Sequence, residues 1–77
     1  MIKRDPMSPY RVDYDDDGKK IVQCDLIADT RDEVISNGTS CTNIDGLPDD
    51  ATLIFGSSAF TMKEKALLTL DSSGSWN

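Results

Sequence analysis

The sequence predicts an α+β fold made mainly of antiparallel β-strands, with an N-terminal hairpin, one short helix and a C-terminal β-meander. Short segments alternate apolar and polar residues, which is the period of a strand with one buried face. Clusters of Asp, Gly, Pro and Ser separate these segments, as turns do. The 77 residues predict one domain. We place it at residues 10–77, behind an extended N-terminal arm at residues 1–9.

The arm and the hairpin come first along the chain. Pro6 and Pro9 disfavour helix in the arm because each fixes φ and removes a backbone donor. Residues 10–14 alternate as a strand does, and residues 20–27 form the next apolar segment. Between them, residues 15–18 read Asp-Asp-Asp-Gly, which predicts a turn and joins the two strands into a hairpin.

One helix is predicted after the hairpin. Thr30 followed by Glu33 forms a capping box, in which each side chain bonds the other residue's backbone. Val34 and Ile35 follow, and Asn37-Gly38 provides a stop signal. A helix of one or two turns is unstable alone, so we expect it to pack on the sheet.

The second half of the chain contains strand candidates at residues 39–44, 51–55, 59–62, 66–70 and 75–76. Residues 45–50 form a turn cluster, and the three candidates between residues 51 and 70 make up the expected meander. Residues 62–70 also fit helical spacing. We favour strand there because turn signals lie on both sides. The expected core positions are Val12, Ile21, Val22, Leu26, Val34, Ile35, Leu53, Phe55, Phe60, Leu68 and Leu70.

Charge and composition exclude several classes of function. The net charge is −6, and acidic residues interrupt the basic ones near the N-terminus. Nucleic-acid binding needs a basic stripe, so we expect no nucleic-acid partner and, for the same reason, no membrane partner. No apolar run reaches the roughly 20 residues that span a bilayer. The N-terminus also lacks the features of a signal peptide, which predicts a cytoplasmic protein.

The sharpest local motif is acidic. Asp13, Asp15 and Asp17 precede Gly18, which matches the start of a calcium-binding loop. Cys24 stands at the twelfth position, where a bidentate Glu belongs, and strands rather than helices flank the motif. We therefore expect a solvated turn with no metal, and keep these three carboxylates as the candidate ligands of an alternative calcium site.

No catalytic residue or cofactor is predicted. The chain has no His to act as a base, and its serines lie in no nucleophile motif. Cys24 and Cys41 are the only cysteines, and two thiols without His do not form a zinc site. We expect both to be free in a reducing compartment, with a disulfide between them as the alternative. We therefore expect a protein that is not an enzyme.

A resemblance provides the functional expectation. Residues 45–51 read DGLPDDA, residues 55–59 read FGSSA and residues 70–76 read LDSSGSW. Together with ADTRDE at residues 28–33, these segments resemble small virion-associated proteins of phages and prophages of Gram-positive bacteria. The match covers about residues 24–77. It implies a structural role in or near the phage particle, and it implies no catalytic or ligand-binding residues.

We accordingly expect an accessory structural or assembly protein that acts through protein–protein contacts. Its partners would be other phage structural proteins or further copies of itself, first in the bacterial cytoplasm and then in the virion. The alternative is a small calcium-binding or ligand-binding interaction module. Trp76, Phe60 and Leu70 are the predicted interface residues, because a small core gains stability from association and Trp is a favoured anchor.

Overall fold

The computed structural model describes all residues 1–77 and confirms the predicted α+β class. It contains seven strands in two sheets and one short helix. The elements are β1 (Ile2–Arg4), β2 (Arg11–Tyr14), β3 (Lys20–Gln23), β4 (Asp25–Ala28), α1 (Arg31–Asn37), β5 (Thr52–Leu53), β6 (Ser58–Thr61) and β7 (Ala66–Thr69). One sheet has the strand order β1-β4-β6-β7 and the other β2-β3-β5. Three of the five strand pairs are antiparallel.

The predicted N-terminal hairpin is confirmed. β2 and β3 pair antiparallel, with Val12 opposite Val22. The Asp15 N–H donates to the Lys19 carbonyl at 2.9 Å, and the Gly18 N–H donates to the Asp15 carbonyl at 3.0 Å. Gly18 has a φ of 80°, which an L side chain rarely adopts. The glycine therefore allows the turn to close in so few residues.

The capping box is also confirmed. The Thr30 hydroxyl accepts a hydrogen bond from the Glu33 N–H at 3.3 Å, and the Glu33 carboxylate accepts one from the Thr30 N–H at 3.2 Å. The helix ends at Gly38, whose N–H donates to the Val34 and Ile35 carbonyls. Val34 is buried, whereas Ile35 faces solvent. Over two turns, only one of two adjacent apolar residues can face the core.

A nearly continuous strand links the two sheets. From Lys20 to Ala28 the residues alternate, and the even-numbered side chains Val22, Cys24, Leu26 and Ala28 are buried. β3 pairs parallel with β5, and β4 pairs parallel with β6. Such parallel pairs need a crossover, which α1 and the loop after it supply. The inner faces of both sheets therefore contribute to one core.

The partner of this strand contains a bulge. Val22 lies opposite Leu53 and Asp25 lies opposite Ser58, so two residues on one side face the four residues 54–57 on the other. Ser57 is fully buried there, and its hydroxyl accepts a hydrogen bond from the Cys24 N–H at 3.3 Å. The side chain thus replaces the backbone acceptor that a regular ladder would provide.

The expected meander is wrong in its first strand. β5 pairs with β3 in the other sheet, so only the β6–β7 hairpin remains of three consecutive partners. The bulge after β5 redirects the chain between the sheets, and the sequence shows this only as a turn signal. Residues 66–69 are strand, as favoured over helix, and residues 62–65 form the hairpin turn.

Two further segments differ from expectation. Residues 39–44 form turns with an isolated bridge from Ser40 to Thr52, and the loop they begin adds Cys41, Ile44, Leu47 and Ala51 to the core. The first nine residues contribute β1, which pairs with β4 and buries Ile2. The ordered domain therefore begins at residue 2, ahead of the predicted boundary at residue 10.

Six of the eleven predicted core positions are buried. The buried predicted positions are Val22, Leu26, Val34, Leu53, Leu68 and Leu70. Ile21 is half-buried, and the exposed ones are Val12, Ile35, Phe55 and Phe60. Val12 lies on the edge strand β2 and Phe55 lies in the bulge, whereas Phe60 lies on the solvent face of the central strand β6. The strands are covered on one face only, as the alternation of apolar and polar residues predicts.

Candidate interaction surface

The outer face of the four-stranded sheet carries a row of three apolar residues, of which Phe60 and Leu67 are exposed and Ile27 is half-buried. Ile27 of β4 lies beside Phe60 of β6, and Phe60 lies opposite Leu67 of β7. Phe60 is 39% exposed and Leu67 is 62% exposed. Their inward-facing neighbours Ala59 and Leu68 are buried, so the row lies on the solvent side of the sheet. We call Ile27, Phe60 and Leu67 the apolar stripe.

The surroundings of the apolar stripe are polar. Lys3 of β1 lies beside Ile27 and continues the row at one end. On the same face, Asp25 lies next to Ser58, whose hydroxyl donates to the Asp25 carboxylate at 2.6 Å. Met62 follows β6 and is also exposed. An apolar centre with charged and hydroxyl groups at its rim is the pattern of a protein–protein contact surface.

Of the three predicted interface residues, only Phe60 lies on this surface. Trp76 is only 8% exposed and Leu70 is buried. The two residues form an isolated bridge with each other, and the Trp76 indole N–H donates to the Gly38 carbonyl at 2.9 Å. The chain itself therefore covers Trp76, and the predicted role of Trp76 and Leu70 as contacts to another chain is corrected. Sequence reasoning missed Ile27 and Leu67, although both alternate with buried residues in their strands.

The candidate calcium ligands do not converge. The Asp15 carboxylate accepts hydrogen bonds from the N–H groups of Asp17 and Lys19, at 3.0 and 2.8 Å. The Asp13 carboxylate accepts one from the Tyr14 N–H at 2.8 Å. No group of three His, Cys, Asp or Glu residues is placed to hold a metal ion. The acidic motif therefore serves to close the hairpin turn.

The two thiols lie in the core. Cys24 and Cys41 are both buried and free. Burial, together with smaller contributions from the nearby Cys41 and Asp25 and against an opposing effect of Arg4, raises the pKa of the Cys24 thiol to about 12. Burial also raises the pKa of Cys41. A thiol held in its protonated form is a poor nucleophile and a poor metal ligand, so these residues act as small apolar side chains.

The structure has three shallow cavities: two lie beside the three-stranded sheet, and one of about 550 Å³ is lined by Met1 and seven residues between Thr42 and Asp49. One of about 210 Å³ is lined by Arg11, Asp13, Ile21, Gln23, Ile54 and Phe55. The next, of about 300 Å³, shares Arg11 and Gln23 with it. A drug-sized ligand typically occupies a cleft of roughly 300–1,000 Å³ that encloses most of its surface. In none of the three does a thiol or hydroxyl donate a hydrogen bond to a side-chain base, which is the arrangement that activates a nucleophile.

Comparison of the chain with protein-family models, with curated proteins and with solved structures gave no match. No helix of the structure is long and apolar enough to cross a bilayer.

Proposed function

We propose that the chain is a non-catalytic accessory structural or assembly protein of a phage or prophage particle, and that it acts through protein–protein contacts. The observation that carries the contact role is the apolar stripe on the outer face of the four-stranded sheet. The resemblance of residues 24–77 to small virion-associated proteins is the reason for proposing a phage particle. The chain would act in the bacterial cytoplasm during assembly and then remain in the virion.

Burial of the apolar stripe gives the contact its free energy. Phe60 and Leu67 lie opposite each other on neighbouring strands, so one flat partner surface can cover both side chains at once. Removing apolar area from water contributes about 25 cal/mol per Å² before the cost of association is subtracted. The stripe is also part of a hydrogen-bonded sheet, so little side-chain or backbone conformational entropy is lost on binding.

Charge indicates which partner fits. The chain has a net charge of −6, so a partner surface with a basic rim around an apolar centre would approach faster than an acidic one. Lys3 at one end of the stripe allows an acidic residue of the partner at that position. We therefore propose a structural protein of the same particle whose contact surface is apolar at its centre and mainly basic at its rim.

Purified particles provide the test. Particles of the phage or prophage that encodes the chain would be isolated on a density gradient and analysed by quantitative mass spectrometry. We expect the chain at a fixed ratio to the major structural proteins. Its absence from both particles and assembly intermediates would overturn the proposed function.

A pair of variants tests the apolar stripe. The double substitution Phe60→Ser and Leu67→Ser should remove the chain from particles while leaving its circular dichroism spectrum unchanged. Phe55→Ser is the matched control, because Phe55 is as exposed as Leu67, at 62%, but lies in the bulge outside the stripe. Incorporation of the double variant at the wild-type ratio would show that the stripe is not the contact.

A further inference from the structure

Other parts of the chain cover most of the outer sheet edges. Beside β1, the Arg4 N–H donates to the Asp45 carbonyl at 2.9 Å, and the Asp45 N–H donates back to the Ile2 carbonyl at 3.4 Å. Beside β5, the Leu53 N–H donates to the Thr39 carbonyl at 2.7 Å. An edge that is already paired offers no template to another strand.

The edge of β7 is closed at its C-terminal end. The Thr69 N–H donates to the Asn77 carbonyl at 3.2 Å, and the Asn77 N–H donates back to the Thr69 carbonyl at 3.0 Å. The expected self-association through this end of the chain would need the same backbone groups. β2 is the edge that no other segment covers, and all four of its residues are exposed.

The hairpin geometry fixes which backbone groups of β2 are free. The Asp15 N–H bonds the Lys19 carbonyl, so by alternation the backbones of Asp13 and Arg11 also face β3. The N–H and C=O groups of Val12 and Tyr14 then point away from the sheet. Only the Tyr14 N–H has a partner there, the carboxylate of the neighbouring Asp13 at 2.8 Å. This short bond lies in solvent and can be exchanged at little cost.

We propose that β2 pairs antiparallel with β2 of a second copy of the chain, about a two-fold axis through Val12. The two three-stranded sheets would then form one six-stranded sheet with β2 of each copy at its centre. In this register the two Val12 residues exchange backbone hydrogen bonds, and Tyr10 of each copy lies opposite Tyr14 of the other. This seam does not include the apolar stripe and is independent of the proposed function.

Charge favours this register. Arg11 and Asp13 lie on one face of β2 and line the same cavity, and neither forms an ion pair within the chain. A two-fold axis through Val12 places Arg11 opposite Asp13 of the second copy, and the symmetry forms that pair twice. The pairs occupy non-hydrogen-bonded positions, where side chains approach most closely.

A neighbouring register that also satisfies the backbone has its axis through Asp13. It places the two Asp13 carboxylates directly opposite each other, which is destabilising. An attraction between Arg11 and the opposite Asp15 would offset this repulsion in part. The Asp15 carboxylate, however, already accepts two backbone hydrogen bonds in the turn. Val12 would lie opposite Tyr14 in that case. The register through Val12 is therefore the one that pairs every charge on this face of β2 with its opposite.

The seam also covers apolar surface that the monomer leaves exposed. Val12 is 43% exposed although it lies opposite the buried Val22. The rings of Tyr10 and Tyr14 lie on the same face of the strand and are exposed as well. In the dimer each of these side chains gains a neighbour from the second copy. Like net charges of −6 oppose the encounter, so we expect a dimer that forms at high concentration.

Charge exchange tests the seam by sedimentation equilibrium. Arg11→Asp and Asp13→Arg should each raise the dimer dissociation constant by about tenfold or more, because each replaces two attractions with two repulsions. The first changes the net charge from −6 to −8 and the second from −6 to −4, so a shared effect cannot come from net charge. The double variant restores both the pairs and the net charge and should dimerise as the wild type does.

A cysteine placed on the axis tests the register. Paired residues at hydrogen-bonded positions have Cα atoms about 5.5 Å apart, inside the roughly 4.4–6.8 Å range of disulfides. Val12→Cys should therefore form a covalent dimer under mild oxidation, and Asp13→Cys should not. The reverse result would overturn the register. A wild type that stays monomeric at millimolar concentration, or a dimer unaffected by either single charge change, would overturn the seam.

Discussion

The indole N–H of Trp76 donates a hydrogen bond to the carbonyl of Gly38 at 2.9 Å, across 38 residues of sequence. Gly38 caps the C-terminus of α1, while Trp76 forms an isolated bridge with Leu70 just beyond β7. The side chain thus links the helix end to the last strand and completes the core. The indole has only this one N–H to donate, so replacing Trp76 leaves the Gly38 carbonyl without its partner.

We expect Trp76→Phe to destabilise the fold. The change removes the donor and leaves the Gly38 carbonyl without its partner, which costs about 1–3 kcal/mol. Trp76→Ala should cost about 3–5 kcal/mol, because it also opens a cavity in the core. Urea unfolding followed by circular dichroism measures both. Phe55→Ala, at an exposed position, is the control and should stay within about 0.5 kcal/mol of wild type. An unfolding midpoint of Trp76→Phe equal to that of the wild type would contradict this role of the indole.

The bulge gives a second prediction, in two neighbouring serines. Ser57→Ala removes the acceptor of the buried Cys24 N–H and should cost about 1–3 kcal/mol. Ser58→Ala removes a hydroxyl that bonds the exposed side of Asp25, and should change stability by less than about 0.5 kcal/mol. The same unfolding measurement compares them. Equal effects of the two substitutions would show that Ser57 does not complete the ladder.

Local signals predicted the elements that local interactions determine. The capping box of Thr30 and Glu33 lies within four residues, and the hairpin turn at Asp15 closes within five. Both need only short-range hydrogen bonds, so the sequence specifies them. The pairing of β5 with β3 depends on a crossover of about 30 residues and on a bulge with two extra residues. Propensity and alternation contain no information on which distant strand becomes the neighbour.

The candidate surface was predicted in part, for a related reason. Alternation tells which residues share a face but not which face is covered, so Phe60 was placed in both the core and an interface. Trp76 was assigned to an interface because a residue next to the end of the chain has few local neighbours to cover it. It is covered as part of the core, and its indole N–H bonds Gly38, which only the folded structure brings near. The sequence does not identify Leu67 as the solvent-facing residue, because Leu68 beside it is equally apolar.

The two thiols should be inaccessible in the folded protein. Cys24 and Cys41 are buried, and burial raises the pKa of both, that of Cys24 to about 12. A disulfide-exchange reagent at pH 8 should titrate no thiol rapidly in the native state and two thiols in urea. Finding no thiol in urea without reductant would instead reveal a disulfide.

The same shift predicts how alkali acts on stability. A thiol whose folded pKa is raised binds its proton more tightly in the folded chain than in the unfolded one. Its contribution is therefore complete below the ordinary pKa of 9.0 and is lost as the pH rises towards 12 for Cys24. Cys24→Ala should flatten the fall in unfolding midpoint between these pH values. An unchanged slope would contradict the assignment to this thiol.

Asp71 should control the packing of Trp76 in acid. Its carboxylate accepts hydrogen bonds from the Ser73 hydroxyl at 2.6 Å, the Ser73 and Ser75 N–H groups and the Asn77 amide. These bonds lower its pKa from 3.8 to about 2. A carboxylate with a lowered folded pKa contributes stability above its ordinary pKa and loses it as the pH falls through the folded value. Between pH 3.8 and about 2, the turn from Asp71 to Asn77 should therefore loosen.

Trp76 is the only tryptophan, so its fluorescence reports this loosening directly. We expect its emission to shift to longer wavelength as the pH falls through this window, because the ring becomes exposed to water. Asp71→Asn keeps the shape but cannot carry the charge, so it should show looser packing at pH 7 and a smaller shift in acid. Asp16→Asn, in the exposed hairpin turn, controls for the general effect of losing one carboxylate and should follow the wild-type profile. Identical profiles for the wild type and Asp71→Asn would show that other carboxylates govern the acid transition of the C-terminal turn.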